Sequence, residues 1–180
     1  MVQMSAQRLF VAIDLPDTVR EQLTRISAYM EHPALRWTPP ENLHITVHFI
    51  GDVAEDKVPA LSEMIDRIAS GTQRFPLTLE GTKLIKKRGR PVMIWASAKP
   101  SAEFHLLAVS LQQTLPGDSR RIAEPHVTLA RIRNQSLPHL TSPPSLEMTC
   151  FDVRHITLYA SRLTKGFPVY TALKSFPFVR

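Results

Sequence analysis

The sequence of 180 residues predicts an α+β fold with antiparallel sheets. Helical and strand patterns are mixed along the chain, and many connections look too short for the crossovers that parallel strands require. Each half also contains a strand, a helix and a second strand with the sequence H-x-T-x, at His44 and at His126. This similarity suggests two lobes related by a pseudo-two-fold. Because the length corresponds to about one domain, we expect residues 1–180 to form a single bilobal domain.

The elements of the first half follow from local patterns. Residues 8–15 are apolar and partly β-branched and stop at Pro16, which predicts a buried strand. Residues 17–30 carry apolar side chains at helical spacing and predict a helix. Residues 43–50 alternate strictly in polarity and predict a strand, and helical spacing returns at residues 55–70.

The second half begins with two predicted strands, at residues 75–86 and 91–98, separated by a basic turn at residues 86–90. Residues 101–115 show helical spacing and are closed by Pro116-Gly117, which predicts a third helix. The remaining β-type runs predict strands at residues 126–132, 146–160 and 169–175. We expect the strand at residues 146–160 to be bent or broken.

Composition narrows the class of protein. The formal net charge of +6 and the pI of about 9.8 favour polyanionic partners through long-range attraction. Cys150 is the only cysteine, so neither an intrachain disulfide nor a cage of thiolate metal ligands can form. The first residues form no apolar signal segment, and no run has the roughly 18 apolar residues of a membrane span. We therefore expect a cytoplasmic protein without membrane contact.

The residues of the two H-x-T-x motifs alternate between the faces of their strands in the same way. In a strand, side chains alternate between faces, so His44 and Thr46 share the face opposite the apolar set of Leu43 to Phe49. His126 and Thr128 are placed in the same way on the second strand. A single such motif is a weak signal, because a histidine two residues before a threonine often occurs by chance. Two of them on strands of matching polarity favour a shared site, whereas the alternative is two satisfied histidines on half-exposed sheet faces.

Two facing histidines suit a displacement at phosphorus. Imidazole titrates near neutrality, so one ring can remove a proton from an attacking water while the other delivers a proton to the leaving oxygen. Each threonine hydroxyl lies about 7 Å further along the same face and can donate to a phosphate oxygen. The two motifs are equivalent in sequence, so residue chemistry alone does not say which histidine is the acid.

Metal catalysis is the weaker interpretation. His44 and His48 would lie about 13 Å apart along one strand, too far to chelate one ion. The sequence contains no H-x-H, H-E-x-x-H or cysteine-rich spacing, and acidic residues are sparse near both motifs. We therefore expect no metal site. The G-x-S-x-G elbow, the P-loop and the G-x-G-x-x-G fingerprint are also missing from the sequence.

Three segments together resemble a known family. These are residues 8–16 (RLFVAIDLP), residues 42–51 (NLHITVHFIG) and residues 125–131 (PHVTLAR). They resemble the RNA 2',3'-cyclic phosphodiesterases of the ThpR/LigT family, within the two-histidine phosphoesterase superfamily. Residues 156–161 (ITLYAS) and Tyr170 look like the C-terminal strand pair of that family. The resemblance runs in order over essentially the whole chain.

The resemblance implies a fold and an activity. It implies a bilobal α+β fold of two antiparallel sheets with flanking helices, an active site in the central cleft and no cofactor. His44 would protonate the leaving 3'-oxygen and His126 would accept the proton of water, while Thr46 and Thr128 hold the phosphate. The substrate would be RNA with a 2',3'-cyclic phosphate end, such as a tRNA fragment, and the product a 2'-phosphomonoester. We expect a monomer, and the resemblance implies a second reaction by microscopic reversibility, the joining of RNA ends through a 2'-5' linkage.

Four further positions carry specific expectations. Arg131 matches an arginine of the family three residues after the second threonine, but strict alternation turns it away from His126, so a bulge or a strand end must bring it to the phosphate. His48 departs from the family pattern; we expect it on the catalytic face, at the substrate rim or in solvent. Phe10 is expected to pack in the core, whereas Trp37 is open between core packing and stacking on a base.

Two other functions remain as alternatives. One is an RNA-binding module that keeps the cleft but lacks turnover, which the intact histidines and threonines of both motifs disfavour. The other is a phosphodiesterase of small cyclic nucleotides, which only the basic charge disfavours. The basic turn at residues 86–90 could guide an RNA backbone, although charged hairpin tips are usually just solvated.

Overall fold

The computed structural model describes residues 6–28, 32–117, 120–133, 145–165 and 167–180. Within these ranges, nine strands form one antiparallel sheet flanked by three α-helices. The strands are β1 (Ala6–Asp14), β2 (Leu35–Trp37), β3 (His44–Ala54), β4 (Phe75–Lys87), β5 (Arg90–Ala98), β6 (His126–Ile132), β7 (Thr149–Val153), β8 (His155–Arg162) and β9 (Val169–Pro177). The helices are α1 (Asp17–Ala28), α2 (Val58–Ser70) and α3 (Ala102–Thr114), and short 3-10 turns precede β3 and α2 at Pro40–Asn42 and Glu55–Lys57.

The predicted α+β class is confirmed, and most elements lie close to their predicted positions. The run at residues 146–160 was expected to be bent or broken, and it breaks at Arg154 into β7 and β8. Strand β2 was not predicted: its three residues show no alternation, and they are extended because they pair with the edge of β6. The basic turn is the tip of the β4–β5 hairpin, where Arg88 and Gly89 both have positive φ, at 52° and 77°.

The strand order is nearly symmetric about its centre. It runs β7-β4-β5-β6-β3-β1-β8-β9, with β2 added at β6. We name β3, β1, β8 and β9 lobe A, and β6, β5, β4, β7 and β2 lobe B. Within the described residues, one register pair, Ile45 with Val127, joins β3 to β6. The two predicted sheets therefore meet edge to edge as one sheet, and the pseudo-two-fold passes through this pair.

One helix from each lobe contacts the other lobe. Helix α3 leaves β5 of lobe B but packs against β3 of lobe A, and its buried side chains include Phe104 and Leu111. In α1, which leaves β1 of lobe A, the Gln22 side chain accepts a hydrogen bond from Thr149 Oγ1 at the start of β7 in lobe B. The apolar faces of both helices join one continuous core. No helix within the described residues is both long and apolar enough to cross a membrane.

Candidate active site

The two H-x-T-x motifs lie on facing strands, one from each lobe. The antiparallel pair Ile45–Val127 fixes their register. At the positions next to this pair, the antiparallel register places His44 across from Thr128 and Thr46 across from His126. The two histidines then lie on a diagonal, a relation that spans about 7–8 Å between strands. Each histidine therefore faces the threonine of the other motif.

A central cleft of about 130 Å³ lies between the lobes. Its lining includes all five residues predicted to act in catalysis or binding, namely His44, Thr46, His126, Thr128 and Arg131. The other lining residues are Phe10, Thr38, Asn42, Phe49, Phe167, Pro168 and Tyr170. Trp37 is not one of them; it is half-buried in β2 and packs against the core.

Backbone carbonyls orient both imidazoles in the same way. His44 Nδ1 donates to the carbonyl of Asn42 at 2.7 Å, and His126 Nδ1 donates to the carbonyl of Glu124 at 2.8 Å. In each ring, Nδ1 is thus hydrogen-bonded to the carbonyl of the residue two positions earlier in the chain. Nε2 is therefore the nitrogen available for proton transfer. His44 Nε2 lies 3.0 Å from Thr46 Oγ1.

Burial is the main influence on both rings. It lowers the pKa of His44 below its ordinary 6.5, against the hydrogen bond to Asn42 and the charge of Asp14, which raise it. Burial also lowers the pKa of His126, against the hydrogen bond to Glu124 and the charge of that residue. The charge of His126 further lowers the pKa of His44, so the two rings disfavour double protonation.

A β-bulge corrects the prediction for His48. In β3, Thr46 pairs with Ala12 but His48 pairs with Val11, so one residue of β3 is extra at Val47. The alternation is thereby reversed: His48 is 5% exposed, and Phe49 is 40% exposed and lines the cleft. The expectation of His48 on the catalytic face is wrong, and Phe49 occupies that face instead.

His48 anchors the loop that follows α3. Its Nε2 donates to the carbonyl of Pro116 at 2.8 Å. The next residue, Gly117, has a φ of +133°, and a Cβ there would lie 2.0 Å from the Phe49 carbonyl oxygen. Only glycine permits this close approach, so the loop from lobe B clamps the bulge of lobe A.

A matching bulge brings Arg131 to the cleft. In β6, Thr128 pairs with Trp95 and Ala130 pairs with Ile94, so Leu129 is the extra residue. The alternation reverses there too, and Arg131 joins the face of His126 and Thr128. This is the bulge that the sequence required for Arg131. Phe49 and Arg131 are therefore equivalent positions, each five residues after a motif histidine.

Aromatic side chains hold each histidine differently. Trp95 of β5 stacks on the His126 ring, with centroids 3.6 Å apart and planes inclined by 16°. Tyr170 of β9 approaches His44 edge-on at 5.3 Å, and Phe10 lies at 5.1 Å. Phe10 is buried, as predicted, at 2% exposure, but it stacks on Phe49 and Tyr159 and lines the cleft and is not part of the main core cluster. The contact of Trp95 was not predicted from the sequence, although the alternation of β5 would have placed it on the same face as Ser97.

A second cavity, which we call the side pocket, opens next to His126 in lobe B. Its volume is about 910 Å³. The floor consists of strand residues beside His126, among them Lys83, Trp95 and Ser97, and the wall comes from the start of α3, with His105 and Leu106. Glu80 and Glu124 also line it, so the lining is mixed in charge. His126 borders both cavities and therefore separates the central cleft from the side pocket.

A carboxylate network lies behind His44. Asp14, at the end of β1, pairs in register with His44 and accepts hydrogen bonds from three side chains of β8, namely His155, Thr157 and Tyr159. A role for Asp14 was not predicted from the sequence. In the described residues, no group of three His, Cys, Asp or Glu side chains could hold a metal ion.

Comparisons with known proteins identify relatives over nearly the whole chain. The sequence profile of the LigT-like phosphoesterase family matches residues 13–95, which include the first motif. A relative from Escherichia coli, an RNA 2',3'-cyclic phosphodiesterase, is 36% identical over 93% of this chain and 94% of that protein. A relative of the same name from Archaeoglobus fulgidus is 31% identical over 94% of this chain and 99% of that protein.

Solved structures extend the match to the fold. The TT0787 protein of Thermus thermophilus superposes with a TM-score of 0.84 and 30% identity, covering 95% of this chain and 97% of that one. Escherichia coli LigT complexed with 3'-AMP superposes with a TM-score of 0.81 and 34% identity, covering 98% and 100% of the two chains. With relatives of this identity matched over nearly their whole length, the chain belongs to the LigT-like phosphoesterase family.

Proposed function

We propose that this protein opens 2',3'-cyclic phosphate ends of RNA to 2'-phosphomonoesters, using His44 and His126 as an acid/base pair without a metal ion. The observation that carries the proposal is the common cleft, which joins both histidines, both threonines and Arg131 from opposite lobes. The relatives named RNA 2',3'-cyclic phosphodiesterase support the substrate class. The formal net charge of +6 also favours an RNA substrate.

The reaction is an in-line displacement at phosphorus. His126 Nε2 takes a proton from water as the water oxygen forms a bond to phosphorus. The bond from phosphorus to the 3'-oxygen breaks on the opposite side, and His44 Nε2 gives its proton to that oxygen. The product keeps the phosphate on the 2'-oxygen. Proton exchange with solvent then restores a neutral His126 and a protonated His44.

The remaining cleft residues bind the phosphate. Its two non-bridging oxygens share one negative charge, which grows as water attacks. The hydroxyls of Thr46 and Thr128 are neutral donors, and Arg131 supplies a permanent positive charge. Donors fixed before the reaction stabilise the developing charge without reorganisation. Phe49 and Tyr170 supply aromatic surface for the nucleoside.

The test is an end-group assay in excess EDTA. An oligonucleotide with a 2',3'-cyclic phosphate is incubated with the protein, and the phosphomonoester formed is identified. We expect a 2'-phosphate from the wild type and from His32→Ala, a control histidine that is exposed and lies outside the cleft. His44→Ala and His126→Ala should be nearly inactive. Wild-type activity that EDTA abolishes, or full activity of either cleft variant, would contradict the mechanism.

Joining of RNA ends is a second candidate activity, and the side pocket favours it. In the proposed mechanism the nucleophile arrives from the side of His126, and the side pocket opens on that side. Water needs no such space, whereas a nucleoside with a 5'-hydroxyl would fill it and stack on Trp95. The 5'-oxygen would bond to phosphorus, the 3'-oxygen would leave as before, and a 2'-5' linkage would result. Because water is the more abundant nucleophile, hydrolysis should dominate.

A two-strand experiment tests this activity. RNA with a cyclic phosphate end is mixed with a second RNA that carries a 5'-hydroxyl, and joined and hydrolysed products are quantified together. Lys83→Glu places a negative charge in the side pocket, so it should lower the ratio of joined to hydrolysed product. An unchanged ratio, or no joined product from the wild type at high acceptor concentration, would refute the role of the side pocket.

A further inference from the structure

The two histidines have different partners on the neighbouring strand. In lobe A, Asp14 of β1 lies directly across from His44. In lobe B, the equivalent residue on β5 is Ser97, directly across from His126. Residues that pair in register point to the same face of the sheet. The lobes are thus related in backbone, but only one of them sets a carboxylate beside its histidine.

The carboxylate of Asp14 is held in place by three donors. His155 Nε2 donates to Oδ2 at 3.0 Å, Thr157 Oγ1 donates to the same oxygen at 2.6 Å, and the Tyr159 hydroxyl donates to Oδ1. The Thr157 oxygen in turn lies 2.8 Å from Ser175 Oγ on β9. All three donors come from alternate residues of β8, so the sheet itself fixes their spacing.

This arrangement keeps Asp14 ionised. Burial alone would raise its pKa, but the hydrogen bonds from His155, Thr157 and Tyr159 outweigh burial and lower the pKa to about 2. Burial raises the pKa of Tyr159, and the contact with Asp14 raises it further, so the tyrosine stays a neutral donor. A fixed negative charge therefore lies across from His44 on the neighbouring strand of lobe A over the whole range of physiological pH.

Other charged groups around the two rings do not reproduce this effect. For His44, the charges of His126 and of Arg20 in α1 both oppose protonation, and Asp14 is the carboxylate that favours it. For His126, the nearby carboxylate is Glu124, whose charge also raises the pKa of its histidine, but Glu124 is exposed, so solvent and salt weaken its effect. The half-sites thus differ in how their carboxylate is held: Asp14 is half-buried and bound by three donors, whereas Glu124 is exposed.

We propose that Asp14 is a positioning residue whose charge favours the protonated form of His44 against the effect of burial, and thereby directs the acid role to His44 and the base role to His126. The carboxylate does not touch the substrate and acts through its charge across the β1–β3 pair. This inference rests on the acid/base mechanism proposed above. It supplies the distinction that two identical motifs lack.

The first test replaces Asp14 by asparagine, which keeps the size of the side chain and removes its charge. Histidine ring resonances are followed by NMR as a function of pH, and kcat/KM for the cyclic phosphate is measured over the same range. In Asp14→Asn the titration of His44 and the alkaline limb of the kcat/KM profile should both move to lower pH. The loss of kcat/KM should be several-fold at pH 8 and much smaller at pH 5.5.

Two further variants separate charge from structure. Tyr159→Phe removes one donor but keeps the carboxylate ionised, so its alkaline limb should stay near that of the wild type. Ser97→Asp adds a carboxylate across from His126, and should move the His126 titration and the acid limb to higher pH. Ser97→Asn is the uncharged control for that change. If Ser97→Asp also leaves the titration of His126 unchanged, a carboxylate on the neighbouring strand does not affect the pKa of the histidine with which it pairs. The inference is then wrong.

The outcomes also distinguish this inference from the proposed function. An Asp14→Asn protein that folds, as judged by circular dichroism, but shows an unmoved His44 titration and a uniform loss of rate at all pH values would reduce Asp14 to a structural role. The NMR titration needs no turnover. If the wild type does not open cyclic phosphates, the proposed function fails, yet the effect of Asp14 on His44 can still be read.

Discussion

The two half-sites of the cleft share a backbone and differ in side chains. Both consist of a histidine and a threonine at alternate positions, a bulge, and then one more residue turned into the cleft. That last residue is Phe49 in lobe A and Arg131 in lobe B. Both strands use the same device, an extra residue that reverses the alternation, so the pseudo-two-fold extends to irregular details of the backbone.

The side chains divide two tasks between the lobes. Lobe B carries the permanent cation Arg131 and the stacked pair of Trp95 with His126. Lobe A carries Phe49, aromatic neighbours of His44 and the carboxylate of Asp14. A substrate that spans the cleft therefore meets a cation on one side and mostly aromatic surface on the other. In the proposed mechanism, the symmetric backbone would place one histidine on each side of the phosphorus, and the unequal neighbours would set the direction of proton transfer.

The largest expected effect comes from removing either histidine. His44→Ala and His126→Ala should each lower kcat by about 10²- to 10⁴-fold, because each eliminates one proton transfer. Since both rings act in one step of the proposed mechanism, the double variant should be little slower than the slower single variant. Single-turnover assays with the cyclic phosphate check this. Losses that multiply in the double variant would mean that the half-sites act independently.

The next largest effects on kcat/KM are expected at the equivalent positions Phe49 and Arg131, and the loss should be larger at Arg131. Arg131→Ala removes a charged donor, worth about 1.5–3 kcal/mol, and should lower kcat/KM by about 10- to 150-fold. Phe49→Ala should lower it by less, mainly through KM, because it removes only apolar contact with the nucleoside. Arg131→Lys, the control, should keep part of the activity. Steady-state kinetics on all three variants test the comparison, and an equal loss at both positions would contradict it.

The clamp at Gly117 gives a smaller, structural effect. Gly117→Ala forces a Cβ against the Phe49 carbonyl, so we expect a loss of about 1–3 kcal/mol in the free energy of unfolding. For a chain of this size this lowers Tm by about 3–10 °C. At the control position, Gly71, an added Cβ meets its nearest neighbours at 3.7 Å, so Gly71→Ala should change stability by less than about 1 kcal/mol. Thermal unfolding measures both, and equal Tm values would refute the clamp.

The smallest expected effect concerns stability in acid. The pKa of Asp14 in the folded protein, about 2, lies below its ordinary value of 3.8. Ionised Asp14 therefore stabilises the fold above about pH 4, and this contribution is lost as the pH falls toward 2. Between these values, Asp14→Asn should lose less stability than the wild type. Urea unfolding at pH 4.5 and pH 2.5 gives the two differences, and identical differences would contradict a charged Asp14.

Much of this architecture could be predicted from the sequence because it follows from periodicity. The three helices and most strands show helical or alternating patterns of apolar residues, and these patterns can be recognised without knowledge of tertiary contacts. The clustering of His44, Thr46, His126 and Thr128 follows from the pleat of two strands. The need for a bulge before Arg131 follows from the odd spacing between Thr128 and Arg131.

What could not be predicted depends on contacts between distant segments. The wrong placement of His48 assumed an unbroken pleat, whereas a bulge in β3 turns His48 toward the loop at Pro116. Strand β2 is extended only because β6 offers it an edge. Asp14 lacked any local signal, because its importance comes from the register of β1 with β3 and from donors more than 140 residues later in the chain.

The order of the strands also bears on how the protein is made. Strands β4 to β7 of lobe B are consecutive in the chain, whereas lobe A combines β1 and β3 with β8 and β9 from the C-terminus. On a ribosome, the sheet of lobe B can be completed while β8 and β9 are still unsynthesised. The half-site of His126 can therefore assemble first. That of His44 must wait for Asp14 to meet its partners on β8, so we expect catalytic competence to arise in the last step of folding.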